Sequence, residues 1–122
     1  MEKGYLSLIL HAHLPYVRHP EYEHFLEEEW FYEALTETYI PLIKVFRSLV
    51  SEGIDFHLTL SLTPTLLSMM RDPLLQSRYL RYLEEHIELT EKEISRTKNM
   101  ADFHGLAWMY NGLFKEAREI FL

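Results

Sequence analysis

Residues 5–17 read YLSLILHAHLPYV and carry the clearest structural signal in the chain. Side chains of a β-strand alternate between two faces, so this stretch divides into an apolar and a partly polar side. The apolar face suits packing under helices and consists of Leu6, Leu8 and Leu10. The other face becomes polar towards its carboxyl end and consists of Ser7, Ile9, His11 and His13. We predict a strand over residues 5–13, ended by Leu14-Pro15.

A second stretch, IDFHLTLSLTP at residues 54–64, repeats this division and predicts a strand over about 55–62. Its aliphatic face consists of Phe56, Leu58, Leu60 and Leu62. Its polar face consists of His57, Thr59, Ser61 and Thr63.

Between the two strands we predict a loop over 16–28 and a helix from about Glu29 to Glu52. The helix shows apolar spacings of three and four residues, with a stripe of Phe31, Leu35, Thr38, Leu42, Phe46 and Leu49. Pro41 should kink or divide this helix, and Gly53 is a suitable left-handed cap.

After the second strand, two Thr/Asp-Pro pairs are typical of helix starts. Thr63-Pro64 predicts a short helix, and Asp72-Pro73 predicts a long helix to about Thr97. The long helix carries a stripe of Leu80, Leu83, Ile87, Thr90 and Ile94. A third helical stretch runs from about Asp102 to the last residue.

This element order predicts an α/β fold with a right-handed βαβ unit and two parallel strands. A two-stranded parallel sheet buries too little, and strands with one leucine-rich and one partly polar face suit a barrel of about eight units and ~250 residues. The apolar ending Ile120-Phe121-Leu122 also favours truncation. We therefore interpret residues 1–122 as the N-terminal βαβα portion of an incomplete TIM-like barrel. The alternative is a complete small, non-catalytic α/β module that dimerises through its open sheet.

Composition restricts the class of partner. Nineteen acidic and twelve basic residues give a formal charge of −7, which argues against nucleic acid and favours a neutral substrate. No apolar stretch approaches the ~20 residues that span a bilayer, so no membrane association is expected. The absence of cysteine excludes disulfides and thiolate sites, and the N-terminal sequence resembles no signal peptide, which predicts a cytoplasmic protein.

His11 and His13 would point into such a barrel at the carboxyl end of its first strand, where barrel active sites lie. They could pack the barrel mouth, share a catalytic metal as in a metal-dependent hydrolase, or bind sugar hydroxyls. A metal needs a third ligand, which His57 cannot readily supply from the opposite end. His19 and His24 could reach but match no ligand spacing.

Neighbouring aromatic side chains favour the sugar interpretation, because their faces suit the apolar faces of sugars. These residues are Tyr16, Tyr22, Trp30 and Phe31, although core packing explains Phe31. The acids near the helix start are explained by the helix dipole and receive no catalytic role: Glu27, Glu28, Glu29 and Glu33.

Three segments together resemble the N-terminal part of glycoside hydrolase family 57, specifically its α-1,4-glucan branching enzymes. They read GYLSLILHAHLPYVRHPE, FLEEEWFYEALTETYIPLIKVF and FHLTLSLTPTLLSMM. The resemblance implies an incomplete (β/α)7 barrel and a retaining transfer of α-glucan chains from α-1,4 to α-1,6 linkage, without metal or other cofactor. Its nucleophile Glu and acid Asp would lie beyond residue 122, so the chain alone should be inactive. It also implies that His11 and His13 line the subsite of the reacting sugar, with Trp30, Tyr16 and Tyr22 binding substrate.

Overall fold

Two short parallel strands and five α-helices make up the part of the chain that the computed structural model describes, residues 3–122. In chain order the elements are β1 (Ile9–Ala12), α1 (Leu26–Ala34), a π-helical turn (Leu35–Tyr39), α2 (Ile40–Ser51), β2 (Thr59–Leu62), α3 (Pro64–Met70), α4 (Pro73–Arg96) and α5 (Ala101–Phe121). This is the predicted order, and the α/β class is confirmed. No helix within residues 3–122 combines the length and the hydropathy needed to cross a membrane.

The two strands pair in parallel, as predicted. Their register places Leu10 opposite Leu60 and His11 opposite Ser61. Because side chains alternate along each strand, one face of the sheet carries Leu10, Ala12, Leu60 and Leu62, and the partly polar face carries Ile9, His11, Thr59 and Ser61. The division that the sequence predicted within each strand therefore extends across the pair.

Both strands are shorter than predicted, and their aliphatic face is largely open. Pairing covers four residues of each strand, not nine and eight. Leu6 is 97% exposed and Leu8 is 54% exposed, so the helices within residues 3–122 do not cover them. Ala12, at the end of β1, is buried.

The long helix between the strands begins at Leu26, three residues earlier than predicted, and is divided before Pro41. Proline has no N–H and its ring clashes with the preceding turn, so a regular α-helix is kinked or interrupted at it. The helix widens into the π-helical turn just before Pro41, where the N–H of Ile40 donates to the carbonyl of Leu35. Pro41 then lies in the first turn of α2, where a missing N–H costs nothing.

Gly53 ends α2 as predicted. Its φ of 70° is in the left-handed region that glycine adopts without strain. The N–H of Gly53 bonds to the carbonyl of Val50 at 3.1 Å. The N–H of Ile54 reaches back to Leu49 at 3.0 Å, which completes a Schellman motif and turns the chain towards β2.

The two predicted caps are also confirmed. The hydroxyl of Thr63 accepts the N–H of Leu66 at 3.4 Å and opens α3. Oδ1 of Asp72 accepts the N–H groups of Leu74 and Leu75 at 2.9 and 3.1 Å and opens α4.

The core lies between α1, α3, α4 and α5, with α4 at its centre. The buried stripe of α4 consists of Leu75, Tyr79, Leu83, Ile87 and Thr90. It differs from the prediction at its ends, since Tyr79 replaces Leu80 and Ile94 is only half-buried. Asn111 of α5 donates to the Thr90 hydroxyl at 2.9 Å, and Phe121 packs edge-on against Tyr79. These contacts show that α5 returns antiparallel to α4.

Candidate functional site

His11 and His13 lie side by side at the carboxyl end of β1. Their rings are nearly parallel, at an angle of 13°, with centroids 6.0 Å apart. Both side chains are exposed, whereas Ala12 between them is buried on the opposite face. The pair therefore projects from the polar side of the sheet, as the alternation of the strand predicted.

Ser61 is a third member of this arrangement that the sequence did not single out. Its hydroxyl lies 3.1 Å from Nδ1 of His11, directly across the strand pair. The contact occupies one ring nitrogen and restrains the ring, so Nε2 of His11 is the nitrogen that can meet a ligand. Two polar strand faces were visible in the sequence, but only the register brings His11 and Ser61 together.

The three aromatic residues predicted to bind substrate remain about half exposed. Tyr16 lies in the loop after β1, Tyr22 stacks on Phe25 at 5.1 Å, and Trp30 lies on α1. None of them forms a ring contact with the histidine pair in the described part of the chain. Their role in binding stays a prediction, whereas Phe31 is buried in the core as predicted.

His19 and His57 make contacts away from the histidine pair. His19 lies between Glu21 and Glu27, with nitrogen-to-oxygen distances of 3.3 and 3.2 Å. His57 precedes β2 and faces Asp55, at the other end of the strand pair from His13. Within residues 3–122, no three His, Asp or Glu side chains converge closely enough to hold a metal ion.

A buried ion pair lies beneath the loop of residues 13–25, which we call the β1–α1 loop. The side chains of Arg78 and Glu28 are only 10% and 2% exposed, and Nη1 of Arg78 lies 2.6 Å from Oε1 of Glu28. The Tyr32 hydroxyl donates to Oε2 of Glu28 at 2.9 Å. Glu28 therefore does more than complement the helix dipole, which was the whole of its predicted role.

The same ion pair holds the backbone of the β1–α1 loop. Oε1 of Glu28 accepts the N–H of His19 at 2.9 Å, and Nη1 of Arg78 donates to the carbonyl of His19 at 3.1 Å. Nη2 of Arg78 also donates to the carbonyl of Tyr22. Nη2 of Arg81, one helical turn further along α4, donates to the carbonyl of Glu23 at 2.9 Å.

The middle of the loop is attached to the start of α4. Nε of Arg18 donates to Oδ2 of Asp72 at 2.6 Å, while Oδ1 of Asp72 caps the helix. Burial, the largest influence, raises the pKa of Asp72, but the N–H of Leu75, the Arg18 guanidinium and the N–H of Leu74 together outweigh it. The pKa of Asp72 is therefore lowered, and the carboxylate is ionised at neutral pH.

Burial also raises the pKa of Tyr32, and its hydrogen bond to the Glu28 carboxylate adds to the rise. The Tyr32 hydroxyl therefore stays protonated and donates to Glu28. A cleft of about 70 Å³ lies beside this cluster, between α4 on one side and α1 with the end of the β1–α1 loop on the other, and it does not include the histidine pair. It is lined mainly by charged residues, among them Glu23, Glu29, Arg81 and Glu85.

The sequence of the chain matches the family model described as glycosyl hydrolase family 57 over residues 7–117. The chain belongs to this family. The family 57 match includes β1, the histidine pair, the β1–α1 loop and most of α5.

Three proteins that the chain resembles are two branching enzymes and an alpha-amylase. A 1,4-alpha-glucan branching enzyme of Thermococcus kodakarensis is 34% identical over 110 residues, which are 89% of this chain and 16% of that protein. The GH57-type branching enzyme structure from Pyrococcus horikoshii is 33% identical, with a TM-score of 0.87 over 98% of this chain and 22% of that chain. The alpha-amylase AmyC structure from Thermotoga maritima is 48% identical, with a TM-score of 0.86 over 94% of this chain and 22% of that chain. The chain therefore spans about a fifth of the length of these relatives.

Proposed function

We propose that this chain is the N-terminal segment of a retaining α-glucan-active enzyme that transfers glucan chains from α-1,4 to α-1,6 linkage. The observation that carries this proposal is the stacked pair of His11 and His13 at the carboxyl end of β1 in a family 57 chain. The branching enzymes among its relatives, at 34% and 33% identity, support this choice of reaction.

In this proposal, residues 1–122 form the first βαβα portion of an incomplete (β/α)7 barrel. The open aliphatic face of β1 and β2 supports it, because parallel strands are normally covered on both faces. The roughly fivefold greater length of the relatives supports it too. The nucleophile Glu and the acid Asp would come from later strands, about 5–5.5 Å apart, so residues 1–122 alone would not catalyse transfer.

The histidines act by hydrogen bonding, not by nucleophilic attack. With Nδ1 of His11 held by Ser61, Nε2 meets a hydroxyl of the reacting sugar, and His13 meets a neighbouring hydroxyl on the same ring. The two imidazoles orient the sugar before the bond breaks, and their hydrogen bonds strengthen as charge develops. Tyr16, Tyr22 and Trp30 offer half-exposed faces to neighbouring glucose units.

Replacing His11 tests the proposal. In the full-length protein, His11→Ala should lower kcat on amylose by about 10²-fold, because a transition-state hydrogen bond is lost. The melting temperature should change little, since the ring is exposed. The matched control is His57→Ala, an exposed histidine at the other end of the strand pair, which should leave kcat unchanged. Full activity of His11→Ala would refute the proposed role.

Hydrolysis of α-1,4-glucan is the second candidate function, because identity is higher with the Thermotoga alpha-amylase, at 48%, than with either branching enzyme. The two reactions differ in their products. Branching creates α-1,6 linkages without a net gain of reducing ends, whereas hydrolysis creates one reducing end for each bond broken. Measuring α-1,6 linkages and reducing ends formed from amylose decides between branching and hydrolysis.

The cytoplasmic location of the protein stays a prediction.

A further inference from the structure

The β1–α1 loop joins the histidine pair to α1, so it carries Tyr16 and Tyr22 and leads to Trp30. A loop of this length needs fixed points to hold its side chains in one place, because unconstrained backbone is costly to order. Charged side chains of α1 and α4 form most of the hydrogen bonds that hold the loop. These bonds do not involve the tyrosine side chains, which remain available for a ligand.

We propose that Arg78, with Glu28 and Arg81, is a positioning residue that sets the conformation of the β1–α1 loop for glucan binding. This inference rests on the proposed function and extends it. Arg78 does not touch the reacting sugar in this scheme; it acts through the loop backbone.

The geometry at His19 supports a positioning role. Glu28 accepts the N–H of His19, and Arg78 donates to the carbonyl of the same residue. Both polar groups of one residue are therefore held by the two members of one ion pair. Arg78 and Arg81 extend this hold to the carbonyls of Tyr22 and Glu23.

Stability alone is a poor explanation for this cluster. Burying two charges is costly, and a well-packed apolar pair of similar volume is often as stable as a buried ion pair. An apolar pair, however, could not hold loop carbonyls. A charged pair is therefore needed where the position of the loop backbone matters, and this loop begins at His13 of the histidine pair.

The test is Arg78→Lys in the full-length enzyme. Lysine can still pair with Glu28, but it has one nitrogen where Arg78 uses Nη1 for the carbonyl of His19 and Nη2 for that of Tyr22, so we expect one of these two bonds to be lost. KM for amylose should rise roughly tenfold with little change in kcat, because binding away from the reacting bond is lost. A merely structural role would lower the amount of active enzyme, and with it apparent kcat, at unchanged KM.

Hydrogen exchange supplies a second readout that does not depend on activity. In Arg78→Lys, the amides of residues 13–25 should lose protection while those of α4 and α5 keep theirs. The matched control is Arg96→Lys, the same substitution at the other end of α4 in an exposed pair with Glu93, which should change neither readout.

Arg81→Ala keeps the inference testable if Arg78→Lys does not fold. Arg81 is more exposed than Arg78, so its loss should be tolerated, and it should raise KM in the same direction by a smaller factor. An unchanged KM together with unchanged exchange of the loop in either folded variant overturns the positioning role. If the unaltered enzyme does not act on α-glucan, the proposed function fails instead, while the exchange data still decide whether Arg78 holds the loop.

Discussion

At the scale of single residues, the core depends on tyrosines whose hydroxyls are satisfied in the interior. Tyr79 shares a hydrogen bond of 2.9 Å with the Thr36 hydroxyl, and Tyr32 donates to Glu28. Burial raises the pKa of Tyr79 to about 12. Burial, aided by the charges of Glu33 and Glu37, also raises the pKa of Tyr82 to about 12. Both side chains are therefore neutral in the folded protein at physiological pH.

These two tyrosines make folding sensitive to alkali. An unfolded tyrosine ionises near pH 10, below the folded values of about 12, so the unfolded chain loses its protons first. The stability that comes from keeping them neutral is fully present below pH 10 and is lost as the pH rises through 12. Urea denaturation at a series of pH values should show the unfolding free energy falling over this range.

The control for the alkaline prediction is the double variant Tyr79→Phe with Tyr82→Phe. It should have a shallower pH dependence above pH 10, because phenylalanine has no proton to lose. An equally steep fall in the double variant would show that other groups cause the alkaline loss of stability.

At the scale of elements, proline and glycine mark the boundaries of the helices. Proline lies in the first turn of α2, α3 and α4, and Gly53 closes α2. A π-helical turn follows α1, the helix that carries Trp30, and accommodates the break in the hydrogen-bond pattern before Pro41. The helices between the two strands are therefore bounded by local chemistry more than by tertiary contacts.

Two glycines with open surroundings should respond to alanine in opposite directions. A Cβ would meet no atom within 4 Å at Gly53 or at Gly112. Gly53 has a φ of 70°, so Gly53→Ala should lower the unfolding free energy by about 1–2 kcal/mol. Gly112 lies inside α5, so Gly112→Ala should raise it by about 0.5–1 kcal/mol.

Urea denaturation followed by circular dichroism compares the two alanine variants directly. Each serves as the control for the other, because both gain the same methyl group in open space. The same sign of change in both would contradict the role assigned to backbone conformation.

At the scale of the whole molecule, the sheet is too small and too open for the apolar surface it carries. The exposed apolar residues of the strand region are Tyr5, Leu6, Leu8, Ile9, Leu60 and Leu62. Unpaired strand edges and uncovered apolar faces favour association between chains. The relatives are about five times longer, and in the proposed barrel further strands would pair with the open edges and helices would cover the aliphatic face.

The 122-residue chain on its own is therefore predicted to self-associate through the open sheet. Sedimentation velocity over a range of concentrations should show a concentration-dependent dimer or larger species. Leu6→Lys with Leu8→Lys should reduce association, because it places charge on the open surface. The control Phe103→Lys, on an exposed position of α5, should have a smaller effect. A chain that stays monomeric would contradict the prediction.

The sequence by itself determined the element order, the helix caps and the two-faced character of both strands. Each of these depends on neighbours within about four residues: alternation along β1, Asp72 before Pro73, and Gly53 after α2. The resemblance carried by residues 4–70 also indicated the family, because a long collinear match needs no knowledge of contacts. Phe31 and most of the α4 stripe were predictable from local spacing.

Only the tertiary structure decided which side chains meet. His11 and Ser61 are 50 positions apart, as are Glu28 and Arg78, and no local pattern specifies their contact. Alternation showed that Leu6 and Leu8 share an apolar face, but whether a helix covers that face depends on distant parts of the chain. Periodicity in the sequence shows whether the face on which a residue lies is polar or apolar. The side chains that a residue contacts depend on how whole helices and strands pack.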